Sequence, residues 1–181
     1  MSDKKVWKTL EKKEVFKCPF FTLFSEKCET FQKKTLNDYY RMELVDWVQV
    51  VVETEDDQLL LIRQYRHGDK QEHIEIVGGV CDPGEDPLAA AKRELLEEAG
   101  YASEHWTLLG SSKPNPAIQN NTMFSYFAKN AKKVSEQNLD PFEDIDVFSI
   151  PKADLRDYLL AGNVKHSLVL MSLFWYLSKE G

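Results

Sequence analysis

The stretch "GGVCDPGEDPLAAAKRELLEEAGY", Gly78 to Tyr101, carries three glutamates near the end of a predicted helix. Glu97 and Glu98 lie three and four residues after Glu94. A helix brings such positions together, and like charges there repel by about 0.2–0.5 kcal/mol per pair. The helix dipole also disfavours negative charge at this end. Folding alone therefore gives no reason for the arrangement.

Local signals mark both ends of this helix. Glu85 and Asp86 make an acidic N-terminus, Pro87 suits the first turn, and Gly100 is placed to end the helix. The predicted helix is therefore short, and the three glutamates occupy its last turns.

The helical period predicts which face of this helix is buried. At 100° per residue, Glu94 and Glu98 lie beside the apolar face rather than opposite it. The residues of that face are Leu88, Ala91, Leu95 and Ala99. Two interpretations follow. The glutamates form a solvated acidic face, or they hold a divalent cation together with oxygen atoms of the preceding loop.

The fixed positions of the stretch match a known signature. From Gly79, five residues lead to Glu85, and seven more lead to the run "RELLEEAGY", which begins at Arg93. This resembles the signature of the Nudix hydrolases, with Tyr101 where the family usually has an aliphatic residue. The resemblance implies an α/β/α sandwich and metal-dependent hydrolysis of nucleoside diphosphates linked to another group.

The resemblance also implies roles within the signature. Glu94 and Glu98 would hold the metal, which is expected to be Mg²⁺ with Mn²⁺ as the alternative, and Glu97 would assist. The carbonyl of Gly78 would be a further ligand. The charged residues that would orient these carboxylates are Glu85 and Arg93.

Residues outside the signature indicate the substrate. Pro116, 16 residues after Gly100, resembles a mark of the ADP-ribose pyrophosphatase branch. "LLIRQYRHGDKQEHIEIVGG" resembles the branch's strand pattern and would place Arg66 at the diphosphate, with Arg41 as a second candidate. The segment "NPAIQNNTMF" lacks a glutamate that the branch often has. We therefore expect a broader nucleoside diphosphate sugar hydrolase that acts on ADP-ribose, ADP-glucose or GDP-mannose.

Two other functions stay open at this point. One is hydrolysis of nucleoside triphosphates or dinucleoside polyphosphates. The other is a catalytically silent nucleotide-binding module, although no glutamate of the signature is missing.

The general base is expected outside the helix. The branch often takes it from a glutamate on a mobile loop, and the matching segment here is "LDPFEDIDVFSIP". Glu143 is the first candidate, and Glu97 is the alternative within the signature. The rival loop carboxylates are Glu136, Asp140 and Asp144.

Composition limits the partners and the location. The 181 residues carry a formal net charge of -7, which argues against broad contact with nucleic acid or an acidic membrane. The charged start of the chain lacks a signal-peptide core, and the apolar run "SLVLMSLFWYL" is too short to cross a bilayer. Three scattered cysteines indicate free thiols. We expect a cytoplasmic protein.

The element pattern indicates an α/β (α+β) protein with a mixed sheet flanked by helices. Residues 1–45 read as a β-rich extension and residues 46–181 as the Nudix domain. The apolar extension and the branch resemblance together predict a homodimer through the N-terminal strands. Within the domain, "HIEIVGG" is predicted as one strand and "NAKKVSEQNLDPFED" as a loop.

Overall fold

The computed structural model describes residues 5–180, which divide into two compact units. The N-terminal unit comprises residues 5–45 together with Lys113–Thr122. The main unit comprises Asp46–Ser112 and residues 123–180. The sequence assigned residues 113–122 to the Nudix domain, whereas their contacts group them with the N-terminal strands.

The N-terminal unit is a three-stranded antiparallel sheet. Its strands are β1 (Lys8–Lys17), β2 (Thr22–Glu29) and β3 (Thr35–Glu43), in that order. The segment 113–122 joins this sheet at the end of β3, where the Met42 N–H donates to the Ile118 carbonyl at 2.7 Å. The Leu44 N–H donates to Asn120 Oδ1 at 2.9 Å. Every residue of β1 is exposed.

The main unit contains a mixed sheet of eight strands. Its central order is β11-β5-β4-β10-β8, and β6, β7 and β9 pair with β5, β4 and β10. The β4–β10 pair is parallel and the other pairs are antiparallel. The strands are β4 (Trp47–Thr54), β5 (Gln58–Arg66), β6 (Gln71–Glu75), β7 (Val77–Val80), β8 (Tyr101–Ala102), β9 (His105–Ser112), β10 (Met123–Lys133) and β11 (Ile145–Pro151).

Helices cover both faces of this sheet. The helical elements are α1 (Pro87–Glu94), a π-helical turn (Leu95–Ala99), a 3-10 turn (Lys152–Asp154), α2 (Leu155–Leu160) and α3 (Ser167–Glu180). Successive residues of β4 point to opposite faces. Val50 packs in the core on the side of α1, and Val51 packs in the core that contains Leu155 and Leu173. The predicted α/β/α sandwich with a mixed sheet is therefore confirmed.

Two element predictions were wrong. "HIEIVGG" forms two strands, because the chain leaves its pairing with β5 after Glu75 and pairs with β4 from Val77 onward. The segment predicted as a loop after residue 129 continues β10 to Lys133. Asn130 has a positive φ of 54°, and the register with β4 shifts between Ala128 and Ala131. This irregularity interrupts the two-residue alternation by which a strand is recognised in the sequence.

The α3 helix contains the apolar run near the C-terminus. In residues 5–180 no helix is long and apolar enough to cross a membrane. The cytoplasmic location stays a prediction from the sequence.

Candidate active site

The ends of α1 follow the local signals of the sequence. The Asp86 carboxylate caps the helix by accepting the N–H groups of Leu88 and Ala89 at 3.0 and 3.2 Å. Pro87 is the first helical residue. Gly100 ends the π-helical turn with a φ of 72°, a conformation that favours glycine.

The acidic residues of the helix are not a solvated face. Glu94 and Glu98 are 8% and 3% exposed, on the flank of the face where Ala91 and Leu95 are fully buried. Glu97 is half-buried. The interpretation as a solvated acidic face is therefore wrong for the two residues that the resemblance names as principal ligands.

Glu98 is a buried carboxylate with few partners. Its Oε2 accepts the Gly78 N–H at 2.9 Å. Burial raises the pKa of Glu98 to about 8, and the charges of Glu94 and Glu143 add to the rise, while the Gly78 hydrogen bond opposes it. Positive charge brought close to Glu98 would therefore stabilise its ionised form.

Arg93 gathers the other carboxylates of the signature. It donates to both oxygens of Glu85 at 3.1 and 3.0 Å, to Glu94 at 2.9 Å and to Glu97 at 3.0 Å. It also donates to the Val80 carbonyl at 3.0 Å, which ties the helix to the glycine loop. The hydrogen bonds to Glu85, followed by the charge of Glu94, raise the pKa of Arg93. Arg93 and Glu85 thus fix one another, and their role in orienting metal ligands stays a prediction.

Burial also raises the pKa of Glu94. The charges of Glu97 and Glu143 add to the rise, and the charge and hydrogen bond of Arg93 oppose it. The Glu94 carboxylate lies directly over Gly79, where a Cβ would collide with it. Glycine at this position leaves room for the buried carboxylate.

The helix changes from α to π geometry directly after Glu94, and Glu97 and Glu98 lie in the π-helical turn. Residues 95–99 form a π-helical turn, in which the Gly100 N–H reaches the Leu95 carbonyl. Single π turns inside α-helices occur often at functional sites. The carbonyls of Glu97 and Glu98 accept from the Asn138 N–H at 2.8 Å and from Gln137 Nε2 at 2.7 Å. These bonds attach the segment before Glu143 to the end of the helix.

Glu143 lies within electrostatic range of the buried pair. Its negative charge contributes to the raised pKa of both Glu94 and Glu98. Its own position is set by a local turn, in which the Asp140 N–H donates to Glu143 Oε2 at 3.1 Å. The Glu143 N–H returns a bond to the Asp140 carbonyl at 2.9 Å. The candidate base and two of the candidate ligands therefore come together in the main unit.

Arg66 reaches the same site from the end of β5. Its Nε and Nη2 donate to the two oxygens of Glu75 at 3.0 and 2.7 Å. These bonds come first in raising the pKa of Arg66, and the charges of Glu98 and Glu143 contribute further. His166 also approaches the pair, with Nδ1 3.6 Å from Glu75 Oε2, the oxygen that accepts from Arg66 Nη2.

Glu75 and His166 were missed by the sequence analysis. Burial acts to raise the pKa of Glu75, but the hydrogen bonds from Arg66 and the nearby His166 outweigh it and hold the pKa at about 2. Only a weak signal pointed to Glu75: it lies in an acidic strand that leads into the glycine loop "VGG". His166 lies 91 residues after Glu75, and no local pattern connects the two.

Two further candidates lie in the N-terminal unit. Arg41 donates through Nη2 to Glu26 at 2.9 Å and to Glu43 at 2.8 Å, and its Nε also donates to Glu26. It is thus already paired with carboxylates of its own sheet. Pro116 is exposed in the segment 113–122. Their contact with substrate stays a prediction.

A divalent cation suits the main-unit site by donor chemistry. Mg²⁺ takes hard oxygen ligands, commonly one or two carboxylates together with substrate phosphates. Within residues 5–180 no group of three or more His, Cys, Asp or Glu side chains is arranged around one point. Glu94 and Glu97 point to Arg93, and Glu98 points to Gly78. The carboxylates offer hard oxygen donors for a divalent cation, and substrate phosphates would complete its ligands.

Comparison with known proteins gives relatives along most of the chain. A "methanol dehydrogenase activator" of Bacillus methanolicus is 28% identical over 134 residues, which is 74% of this chain and 72% of that protein. An "ADP-ribose pyrophosphatase" of Bacillus subtilis (strain 168) is 25% identical over 151 residues, or 81% of this chain and 80% of the relative. "ADP compounds hydrolase NudE" of Escherichia coli (strain K12) is 35% identical over 92 residues, 51% of this chain and 45% of that protein.

A solved structure and a family model also match the chain. The crystal structure of an ADP compounds hydrolase superposes with a TM-score of 0.85 at 25% identity, covering 100% of this chain and 99% of the other. Residues 45–169 match the NUDIX domain, which is well over half of the chain. ADP-ribose pyrophosphatases of this family generally depend on a divalent metal. The resemblance read from the signature is confirmed: the chain belongs to the Nudix family.

Proposed function

We propose that this Nudix enzyme hydrolyses the pyrophosphate bond of nucleoside diphosphate sugars such as ADP-ribose. The products are a nucleoside monophosphate and a sugar phosphate. The observation that carries the proposal is the buried pair Glu94 and Glu98 beside Arg93, on the helix of a chain whose relatives include an ADP-ribose pyrophosphatase and an ADP compounds hydrolase.

The acidic residues of the site would bind a divalent cation. Glu94 and Glu98, with Glu97 and the Gly78 carbonyl, would hold a divalent cation, for which we propose Mg²⁺. When bound, the cation neutralises diphosphate oxygens and lowers the pKa of a water molecule. Glu85 and Arg93 would support these ligands, because the hydrogen bonds of Arg93 join Glu85 to Glu94 and Glu97.

Two charged groups act directly on substrate and water in this proposal. Arg66 supplies hydrogen-bond donors to the diphosphate, which an acidic protein with a net charge of -7 needs locally. Glu143 takes a proton from the attacking water. Its half-buried carboxylate and its effect on the pKa of Glu98 support a place close to the reacting groups.

A substrate panel tests the proposal. ADP-ribose, ADP-glucose, GDP-mannose, ATP and a diadenosine polyphosphate are each incubated with Mg²⁺ or Mn²⁺, and the products are identified by chromatography. We expect turnover of the sugar nucleotides and none after addition of EDTA. Preference for ATP or the dinucleotide would replace the proposed substrate class. Binding of ADP-ribose without turnover of any substrate would make the chain a nucleotide-binding module.

We propose in addition that the chain forms a homodimer through its N-terminal unit, and that nucleic acid is not a partner. Large apolar side chains exposed on this unit support the dimer. They are Val6, Trp7, Leu10, Val15, Phe16, Phe20, Phe31, Leu36 and Tyr40. The acidic net charge supports the absence of nucleic acid.

Light scattering after size exclusion measures the assembly. We expect a mass twice that of the chain, and a monomer for the double variant Phe16→Glu and Phe20→Glu, whose side chains are 53% and 79% exposed. The matched control is Phe174→Glu, an exposed aromatic of the main unit. A monomeric parent protein contradicts the proposal, and a dimer that survives both substitutions excludes this surface.

A further inference from the structure

Arg66 interacts electrostatically with Glu98, a proposed ligand of the cation, and with Glu143, the proposed base. The carboxylates of Glu98 and Glu143 are near enough to contribute to its raised pKa. A guanidinium released from Glu75 would be attracted to them, because an arginine binds a carboxylate strongly in two-pronged geometry. A mobile Arg66 would thus compete with the cation for Glu98.

Glu75 binds one edge of the Arg66 guanidinium. Its carboxylate, 3% exposed, binds Nε and Nη2 of Arg66, one whole edge of the guanidinium. A guanidinium has five N–H groups, and among the described residues only these two donor atoms have partners. The edge formed by Nη1 and the second N–H of Nη2 stays available, and the side chain is 45% exposed. That edge matches the spacing of two phosphate oxygens.

His166 adds a second contact to the same carboxylate from the start of α3. Its Nδ1 is buried, has no hydrogen-bond partner in residues 5–180, and lies 3.6 Å from Glu75 Oε2. The His166 carbonyl accepts the Leu170 N–H at 3.0 Å, which anchors the residue to the helix. The Oε2 atom of Glu75 is therefore approached both by Arg66 Nη2 and by a residue fixed to α3.

We propose that Glu75, backed by His166, is a positioning residue that holds Arg66 off the metal-binding carboxylates and presents its free edge to the diphosphate. The inference rests on the proposed function, since it assigns the diphosphate to Arg66 and the cation to Glu98. It assigns no direct contact with substrate to Glu75 or His166. Their effect passes through the position of one guanidinium.

A double-mutant cycle on metal affinity tests the proposal without turnover. Mn²⁺ binding is measured by calorimetry, in the absence of substrate, for the parent protein, Glu75→Gln, Arg66→Gln and the double variant. With Arg66 present, we expect Glu75→Gln to weaken Mn²⁺ binding about tenfold, the scale of losing a residue that orients a metal site. With Arg66 replaced by glutamine, the same change should alter the affinity less than about twofold.

The cycle separates repositioning from simple charge loss. If Glu75 acts only through its own negative charge, Glu75→Gln weakens Mn²⁺ binding by the same factor in both backgrounds, and that result overturns the proposal. Damage to the fold would likewise persist in the double variant and overturn it. If Glu75→Gln does not fold, Glu75→Asp replaces it, because the shorter carboxylate loosens the two-pronged grip and should show the same dependence on Arg66.

Substrate kinetics provide the second arm. In Glu75→Gln the KM for ADP-ribose, measured at saturating Mn²⁺, should rise about tenfold with a smaller change in kcat. The control Asp69→Asn breaks another His–carboxylate contact, that of His73 at 3.0 Å, and should leave KM and Mn²⁺ affinity unchanged. His166→Ala should raise the KM for ADP-ribose and weaken Mn²⁺ binding, each by a smaller factor than Glu75→Gln. If neither quantity changes in His166→Ala, His166 has no part in positioning Arg66.

The design distinguishes failure of the inference from failure of the function. A parent protein that neither binds Mn²⁺ nor hydrolyses ADP-ribose contradicts the proposed function itself. A parent protein that does both, with a Glu75→Gln variant of equal Mn²⁺ affinity and KM, overturns only the role of Glu75.

Discussion

Two carboxylates of the main unit are about equally buried, but their pKa values shift in opposite directions. Glu53, at the end of β4, is 2% exposed, and Glu98 is 3% exposed. Glu53 accepts from the Tyr176 hydroxyl at 2.7 Å and from Lys152 at 2.8 Å. Burial acts to raise its pKa, but these partners outweigh it and lower the pKa. Glu98 has the Gly78 N–H instead of a bonded cation, and its pKa rises to about 8.

The difference separates a structural carboxylate from a candidate metal ligand. The buried charge of Glu53 is compensated within the fold by Lys152 and Tyr176. Because Tyr176 lies on α3, Glu53 joins the sheet to that helix. Glu98 lacks such compensation and lies beside Glu94, whose pKa is also raised by burial. Uncompensated buried carboxylates cluster at functional sites, because a ligand or cation completes them. Folding stability and function thus make opposite demands on the same residue type.

The sharpest test of the contrast is Glu98→Gln. We expect turnover of ADP-ribose with Mg²⁺ to fall by about 10³-fold or more, at the upper end of losses from removing one transition-state stabiliser. The thermal midpoint of the metal-free protein should not fall, because a neutral amide oxygen still accepts the Gly78 N–H and buries no charge. Steady-state kinetics and thermal unfolding in EDTA measure the two effects.

Glu104→Gln, on an exposed residue of the same unit, is the control for Glu98→Gln and should behave as the parent protein. Retention of full activity in Glu98→Gln would remove it from the ligand set. A large loss of stability would place Glu98 with Glu53 among the structural carboxylates.

Glu143→Gln should lower kcat by about 10²–10⁴, the scale of losing a general base. KM and the thermal midpoint should stay unchanged, since the residue lies on a loop and its bonds are confined to the turn with Asp140. Asp144→Asn, an exposed rival next in the chain, is the control. If kcat falls less than tenfold in Glu143→Gln, the role of base passes to another carboxylate, first to Glu97.

Glu53→Ala should have the reverse profile of Glu98→Gln. Removing one partner of a buried ion pair leaves Lys152 and Tyr176 without their carboxylate, and we expect the free energy of unfolding to fall by about 3–5 kcal/mol. The kcat of the folded fraction should equal that of the parent. Glu55→Ala breaks an exposed pair with Lys132 at 3.0 Å and should cost about 1 kcal/mol or less. Urea unfolding followed by kinetics below the transition checks both, and equal losses for the two variants would contradict the contrast.

The sequence predicted the signature helix well because its determinants are local. Capping by Asp86, the stop at Gly100 and the apolar face all depend on residues within one or two turns. The bounds of β4 and β5 also followed from their apolar runs and the short turn between them. The positions of Glu94 and Glu98 beside the buried face came from the same periodicity.

Tertiary contacts explain what the sequence did not predict. The π-helical turn needs one longer hydrogen bond, and the 3.6-residue period does not reveal it. The change of partner strand at Ile76 depends on where β5 and β4 lie in the sheet. The bond network of Glu75 joins β5, β6 and the start of α3, so no window of sequence contains it.

Acid titration offers the smallest and most specific test, on Glu75. Its unfolded carboxyl titrates near 4.5 and its folded one near 2, so the unfolded state binds more protons between these values. Glu75 therefore contributes stability above about pH 4.5, and that contribution is lost as the pH falls toward 2. We expect about 2 kcal/mol at pH 7, after a discount because its partner Arg66 is half-exposed. Urea unfolding should show that Glu75→Gln costs roughly half as much at pH 3 as at pH 7. A cost that does not change with pH would mean that the Glu75 charge contributes nothing and that packing alone accounts for the loss.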